Sequence, residues 1–169
     1  MNITKRDTLA IARVAARKGR AADLARAVRE RFGIDLPDGP RRVESAGGLA
    51  FIGSGVDTWL ATRDDERDTF AASLRNALNA AATVSDQIGA YEVMRLTGQH
   101  VREVLAKFVA LDLHPGAFAT GSAAATLAGH IPLTLWRLAD SFELAVPRSY
   151  NPDFQHLLAA GAAEFTWPH

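Results

Sequence analysis

The chain has 169 residues, 48% hydrophobic and 22% charged, with 19 basic and 19 acidic side chains and no cysteine. That is the composition of a globular chain long enough to bury its own core, and it excludes disulfides, thiolate nucleophiles and zinc–thiolate centres. The charge is uneven: residues 1–42 hold eleven Lys/Arg and five Asp/Glu, residues 43–169 eight and fourteen, a pattern of a docking or nucleic-acid face or, more plainly, of a solvated helix.

The first apolar run, Leu9 to Ala16, is broken by Arg13 and followed by Arg17, Lys18 and Arg20. It has the form of neither a secretory leader nor a membrane span, so a soluble, cytoplasmic chain is expected. Leu9 to Ala15 predicts a strand. Ala21 to Phe32 predicts a helix, since Leu24, Val28 and Phe32 recur every four residues and Gly33 suits the left-handed stop. Ile34 to Pro40 is a proline- and glycine-rich loop. Strands follow near Gly48–Ile52 and Asp57–Thr62, with Gly53-Ser54-Gly55 as the expected hairpin turn. A second helix is expected from Asp64 to about Ala80, its acidic start (Asp64, Asp65, Glu66) matching the positive end of the helix dipole.

Strand signals return at Ala82–Ser85 and Tyr91–Leu96. Thr97-Gly98 opens a third helix carrying Val101, Val104, Leu105 and Phe108 on one face. Three strands are expected near Ala123–Gly129, Ile131–Leu138 and Phe142–Val146, the last hairpin turning at Asp140-Ser141. A final helix has Asn151 as its N-cap, Pro152 at its first position and Asp153 in its first turn, and buries Phe154, Leu157 and Leu158. Residues 58–75 and 142–159 align without a gap at an offset of 84, pairing Leu60 with Leu144, Ala61 with Ala145 and Phe70 with Phe154. The expected architecture is therefore α+β: a single domain, 1–169, of two related βαβ-type halves, 1–81 and 82–169, with antiparallel strands and packed helices.

The motifs for chemistry are sparse. A dinucleotide fingerprint starting at Gly53-Ser54-Gly55 would need glycine at position 58, which is Thr58. No two of His100, His114, His130, His156 and His169 stand three or four apart, so no helix face offers a pair of imidazoles to a metal. Asp112 could orient His114 as a general base, but residues two apart in extended chain need a turn to meet, and a structural loop histidine is the plainer reading. Arg148 at the mouth of the last helix could face an anion, solvent or a partner. No Gly-x-Ser-x-Gly elbow serves Ser85, Ser141 or Ser149. The basic first helix lacks the interleaved aromatics of a single-strand nucleic-acid platform. Phe118, Trp136, Arg148, Tyr150 and Trp167 are the candidate subunit-interface residues, since aromatic and arginine side chains dominate interface energetics.

Val84-Ser85-Asp86-Gln87, Arg95-Leu96-Thr97-Gly98, Asp112-Leu113-His114-Pro115-Gly116-Ala117-Phe118, His130-Ile131-Pro132, Leu135-Trp136-Arg137 and Val146-Pro147-Arg148-Ser149-Tyr150 stand in one order over residues 82–165. On these residues the chain resembles the gamma subunits of heterotetrameric sarcosine oxidases. More distantly, Leu96-Thr97-Gly98, Asp112-Leu113 and the hairpin into Phe142–Val146 are similar to the folate-binding domain of glycine-cleavage aminomethyltransferases, which implies a fold rather than an activity. The first resemblance implies a small structural subunit, with no catalytic, cofactor or metal site of its own, in a complex that demethylates sarcosine oxidatively to glycine. FAD, FMN, NAD and tetrahydrofolate would belong to partner subunits, the partners being alpha, beta and delta chains, with neither nucleic acid nor membrane. The alternative is a stand-alone folate-dependent one-carbon transferase, for which Asp112 or Glu143 would face the pterin. Glu143 alternates with core residues on its strand and is expected to face solvent.

Overall fold

The computed structural model describes residues 1–64 and 66–165. Among them, ten strands form two five-stranded antiparallel sheets, accompanied by four α-helices, in two compact units. Residues Asn2–Lys5 form β1, which joins the second unit although it opens the chain.

The first unit, Asp7–Gly89, contains β2 (Leu9–Ala16), α1 (Ala21–Phe32), β3 (Arg42–Glu44), β4 (Ala50–Gly55), β5 (Thr58–Asp64), α2 (Phe70–Leu78) and β6 (Ala82–Asp86), with strand order β3-β4-β5-β2-β6. Its core joins Ala10, Ala12 and Val14 of β2 and Trp59 and Ala61 of β5 to Leu24 and Val28 of α1 and Phe70, Leu74 and Leu78 of α2. α1 has the bounds its periodicity predicts. Gly33 closes it at φ 67° and donates its N–H to the Arg29 carbonyl, a backbone state in which a side chain would be strained.

The second unit, Met1–Arg6 with Ala90–His169, adds to β1 the elements β7 (Tyr91–Thr97), α3 (Val101–Ala106), β8 (Ala123–Ala128), β9 (Ile131–Arg137), β10 (Ser141–Pro147) and α4 (Asn151–Ala162), in the order β1-β7-β10-β9-β8. Met94, Leu96, Leu135, Phe142, Leu144 and Val146 pack with Val104, Leu105, Phe154 and Leu158 of the helices. Gly161 lets α4 approach closely: a Cβ there would stand 2.6 Å from the Phe108 ring.

The two sheets share one plan. In each, the strand before the first helix is flanked by the last strand of a three-stranded meander on one side and by a short strand on the other. In the first unit that short strand, β6, follows α2. In the second its place is taken by β1, from the other end of the chain. The helices keep the offset of 84: Phe70 and Phe154, then Leu74 and Leu158, are all buried. The strands do not. Trp59 and Ala61 join the helix-side core of the first unit, whereas Phe142, Leu144 and Val146 join that of the second. A one-residue shift in a strand exchanges faces, so Leu60 corresponds to Glu143, not to Leu144.

Other expectations are corrected. β6 pairs with β2, so the unit boundary lies after Gly89 rather than after residue 81. Gly53-Ser54-Gly55 belongs to β4, and the hairpin turns at Val56-Asp57, where Asp57 takes φ 49°. The second helix begins at Phe70, because Asp64 ends β5 and the Glu66 carbonyl accepts the N–H groups of Thr69 and Phe70 in a turn of its own; Asp65 lies outside the described residues. Asn151 is already helical, with Tyr150 at the cap and no side-chain cap bond. Its buried Oδ1 has no hydrogen-bond partner among the described residues. Ser141 is the first residue of β10 rather than part of the turn.

Candidate functional site

The densest polar cluster in the interior of the second unit is built by strand register. Glu143 of β10 lies opposite Arg95 of β7 on one side and Trp136 of β9 on the other. Side chains directly opposite across antiparallel strands share a face. Arg6 follows β1 and is held beside β7 by its N–H to the Val93 carbonyl. Glu143 is 3% exposed and Trp136 is fully buried.

Every donor converges on the Glu143 carboxylate. Oε1 accepts from Arg95 Nε at 3.0 Å, lies 2.8 Å from Arg95 Nη2 and also accepts from Arg6 Nη1. Oε2 accepts from Trp136 Nε1 at 2.9 Å. A buried carboxylate holds its place only when paired and hydrogen-bonded, and here both oxygens are engaged. A general base needs a lone pair within reach of a substrate proton; this carboxylate is directed at its own fold instead. The expectation that Glu143 faces solvent is overturned, because both faces of β10 are buried from Ser141 to Val146.

Asp112 and His114 are committed locally as well. Asp112 Oδ1 accepts the His114 backbone N–H at 2.9 Å, and His114 Nδ1 accepts the Gly116 N–H at 3.2 Å. The carboxylate thus folds the loop and does not orient the imidazole. Gly53 has a packing reason to be glycine: a Cβ would stand 1.9 Å from the Gly39 carbonyl oxygen, and its N–H bonds the Arg41 carbonyl. It lies inside a strand, with no helix start to receive a pyrophosphate. Among the described residues no group of three or more His, Asp or Glu is placed to hold a metal ion, and no helix is long and apolar enough to cross a membrane.

The interface candidates separate. Trp136 and Phe118, offered as interface candidates, are interior in this chain. Trp136 is anchored by Glu143. Phe118 stacks on Phe142 at 6.3 Å, and its carbonyl accepts from Arg137 Nη1 at 2.6 Å. Tyr150 is 37% exposed and meets His130 edge-on at 6.4 Å. Arg148 is at the surface, 3.8 Å from Glu92. Trp167 lies outside the described residues. Sequence reasoning does not reach Arg6 and Arg95. An arginine inside Val93-Met94-Arg95-Leu96 and a glutamate inside Phe142-Glu143-Leu144 are the signal that two apolar strands carry opposite charges. Nothing local marks Arg6, 137 residues from Glu143.

Residues 18–164 match the family model described as the sarcosine oxidase gamma subunit family. The chain belongs to that family. Among gamma subunits it is 32% identical over 140 residues to the sarcosine oxidase subunit gamma of Arthrobacter sp., covering 81% of this chain and 68% of that protein. It is 33% identical over 142 residues to the subunit gamma of Corynebacterium sp. (strain P-1), covering 82% and 70%. A chain of the heterotetrameric sarcosine oxidase from Corynebacterium sp. U-96, solved in complex with pyrrole 2-carboxylate, is similar over 99% of this chain and 86% of its own length, with TM-score 0.85 and 25% identity. The fold extends to glycine cleavage system aminomethyltransferase T from Bartonella henselae, with TM-score 0.69 at 14% identity over 93% of this chain and 45% of that one. The gamma-family match covers both units, including most of the first, which carries few of the motifs behind the resemblance.

Proposed function

We propose that this chain is a non-catalytic, assembly-stabilising gamma subunit of a cytoplasmic heterotetrameric sarcosine oxidase. In this reading the complex demethylates sarcosine oxidatively to glycine, with electrons passing through flavin to oxygen and the one-carbon unit leaving as formaldehyde or on tetrahydrofolate. FAD, FMN, NAD and tetrahydrofolate are held by the alpha, beta and delta partners. Membership of the gamma family supports the assembly role. The observation that carries the non-catalytic role is the Glu143 carboxylate, whose two oxygens are engaged by Arg6, Arg95 and Trp136 and so lack a face for substrate.

The test is an affinity pulldown of the chain from its native cells, tagged through a flexible spacer at Met1, read by mass spectrometry and flavin absorbance. Recovery of a large dinucleotide-binding chain and a mid-sized flavoprotein, with yellow colour, is the expected result. A colourless monomer that binds tetrahydrofolate in titration overturns the proposal and leaves the one-carbon transferase.

A further inference from the structure

Among the described residues, the outermost strands of the sheets are β1 and β8 in the second unit and β3 and β6 in the first. An edge strand presents unpaired backbone groups to any other extended chain, and proteins discourage such pairing with charge, proline or bulges. Lys5 lies in β1, Arg42 and Glu44 in β3, and Asp86 in β6. β8, reading Ala-Ala-Ala-Thr-Leu-Ala, has no charge and no proline, and its register with β9 runs without a shift.

The pairing fixes which backbone groups of β8 point outward. The Arg137 N–H bonds the Ser122 carbonyl, and Ala124, Thr126 and Ala128 follow in step opposite Leu135, Leu133 and Ile131. Alternation along an antiparallel ladder turns Ala123 and Ala125 away from β9. The far end is closed by a bridge from Ala128 to Val109. The open stretch ends at Leu127, 52% exposed, which pairs across the ladder with exposed Pro132. In the turn that follows, His130 meets Tyr150.

We infer that β8 is a docking edge for an extended, uncharged segment of a partner subunit, which adds to the second sheet as a sixth strand with an apolar residue against Leu127 and Pro132. Main-chain bonds supply the binding and the side-chain row the selectivity. The neutrality of β8 sets the chemistry of the occupant, because a charge on the incoming strand would be desolvated against an edge with no counter-charge. This inference rests on the assembly reading above; a heterologous strand is chosen over a second copy because the family's solved relative is a chain of a heterotetramer.

Residue-resolved hydrogen–deuterium exchange of the outward N–H groups of Ala123, Ala125 and Leu127 tests it, in the isolated chain and in the purified complex. Exchange slowed at least tenfold in the complex is expected, with the isolated chain exchanging fast at every concentration. Ala125→Pro removes one outward N–H and leaves the β9 ladder intact, and Leu127→Lys adds a charge. Both should keep the isolated chain's melting temperature within a few degrees and lower partner recovery at least tenfold. Val56→Lys, at a 93%-exposed position in the first unit, should leave recovery unchanged. A complex that assembles with the N–H groups of Ala123, Ala125 and Leu127 still exchanging fast overturns the docking edge and spares the assembly reading. Failure of the unaltered chain to assemble at all overturns both. Protection of the isolated chain that grows with its concentration names a second copy as the occupant and overturns the inference.

Discussion

Leu60 in β5 and Glu143 in β10 occupy the same place in two sheets built on one plan. Leu60 lies between Arg13 of β2 and Ile52 of β4; Glu143 lies between Arg95 of β7 and Trp136 of β9. The arginine is common to both and the rest has diverged. In the first unit the position is filled by apolar neighbours and Arg13 faces out. In the second a buried carboxylate pairs with the partly exposed Arg95, accepts the indole N–H and takes a second guanidinium from the segment that follows β1. A repeated framework thus sets where side chains meet without setting what they do. The charged version adds side-chain bonds between strands that the apolar version joins by backbone ladder and packing.

Replacing Phe70 at the start of α2 and Phe154 in the first turn of α4 tests whether the two frameworks are equivalent. Phe70→Ala and Phe154→Ala should each cost about 3–5 kcal/mol in urea unfolding; a loss below about 1 kcal/mol at either site would break the correspondence. Converting the second unit's centre to the first's is the next largest effect. Glu143→Leu should cost about 2–3 kcal/mol, because it leaves the buried Trp136 N–H without its acceptor and removes the carboxylate that faces Arg6 and Arg95, and adding Arg6→Met should recover part of that loss. If the single change is neutral by thermal melting, the cluster contributes nothing that Leu60 does not. Gly161→Ala should destabilise by about 1–3 kcal/mol through its clash with Phe108, although alanine is the better helix former. Arg148→Ala acts at a half-exposed surface side chain, 3.8 Å from Glu92, and should shift unfolding by less than about 0.5 kcal/mol. The same variant measured for partner recovery asks whether this exposed arginine serves assembly.

The helices of both units are legible in the sequence to different degrees. α1 can be read to the residue because Leu24, Val28 and Phe32 repeat on one face and Gly33 stops it. α2 reads as starting too early, because acidic residues that suit a helix N-terminus sit equally well at a strand end and in a turn. β1 and β3 escape the sequence for want of any burial alternation: all four residues of β1 are exposed, and β3 has only three residues. Glu143 stands out in the sequence but with the wrong environment. Alternation places a polar residue on the face opposite the core, and it predicts water only where that face is wet. On β10 it is not. The partners that make Glu143 structural come from β7, β9 and the segment after β1, the last at the far end of the sequence, and no local window contains them.

The placement of β1 also has a consequence for the order in which the molecule is made. The first unit can close once β6 leaves the ribosome, since its sheet draws only on residues up to Asp86. β1 is synthesised before any other strand, yet its neighbour β7 begins at Tyr91, and the carboxylate that holds Arg6 arrives 137 residues after it. Contacts separated this far close late, because the intervening loop must lose its freedom first. β1, made before the other nine described strands, is therefore among the last to find its sheet, and it waits for β7 while synthesis continues.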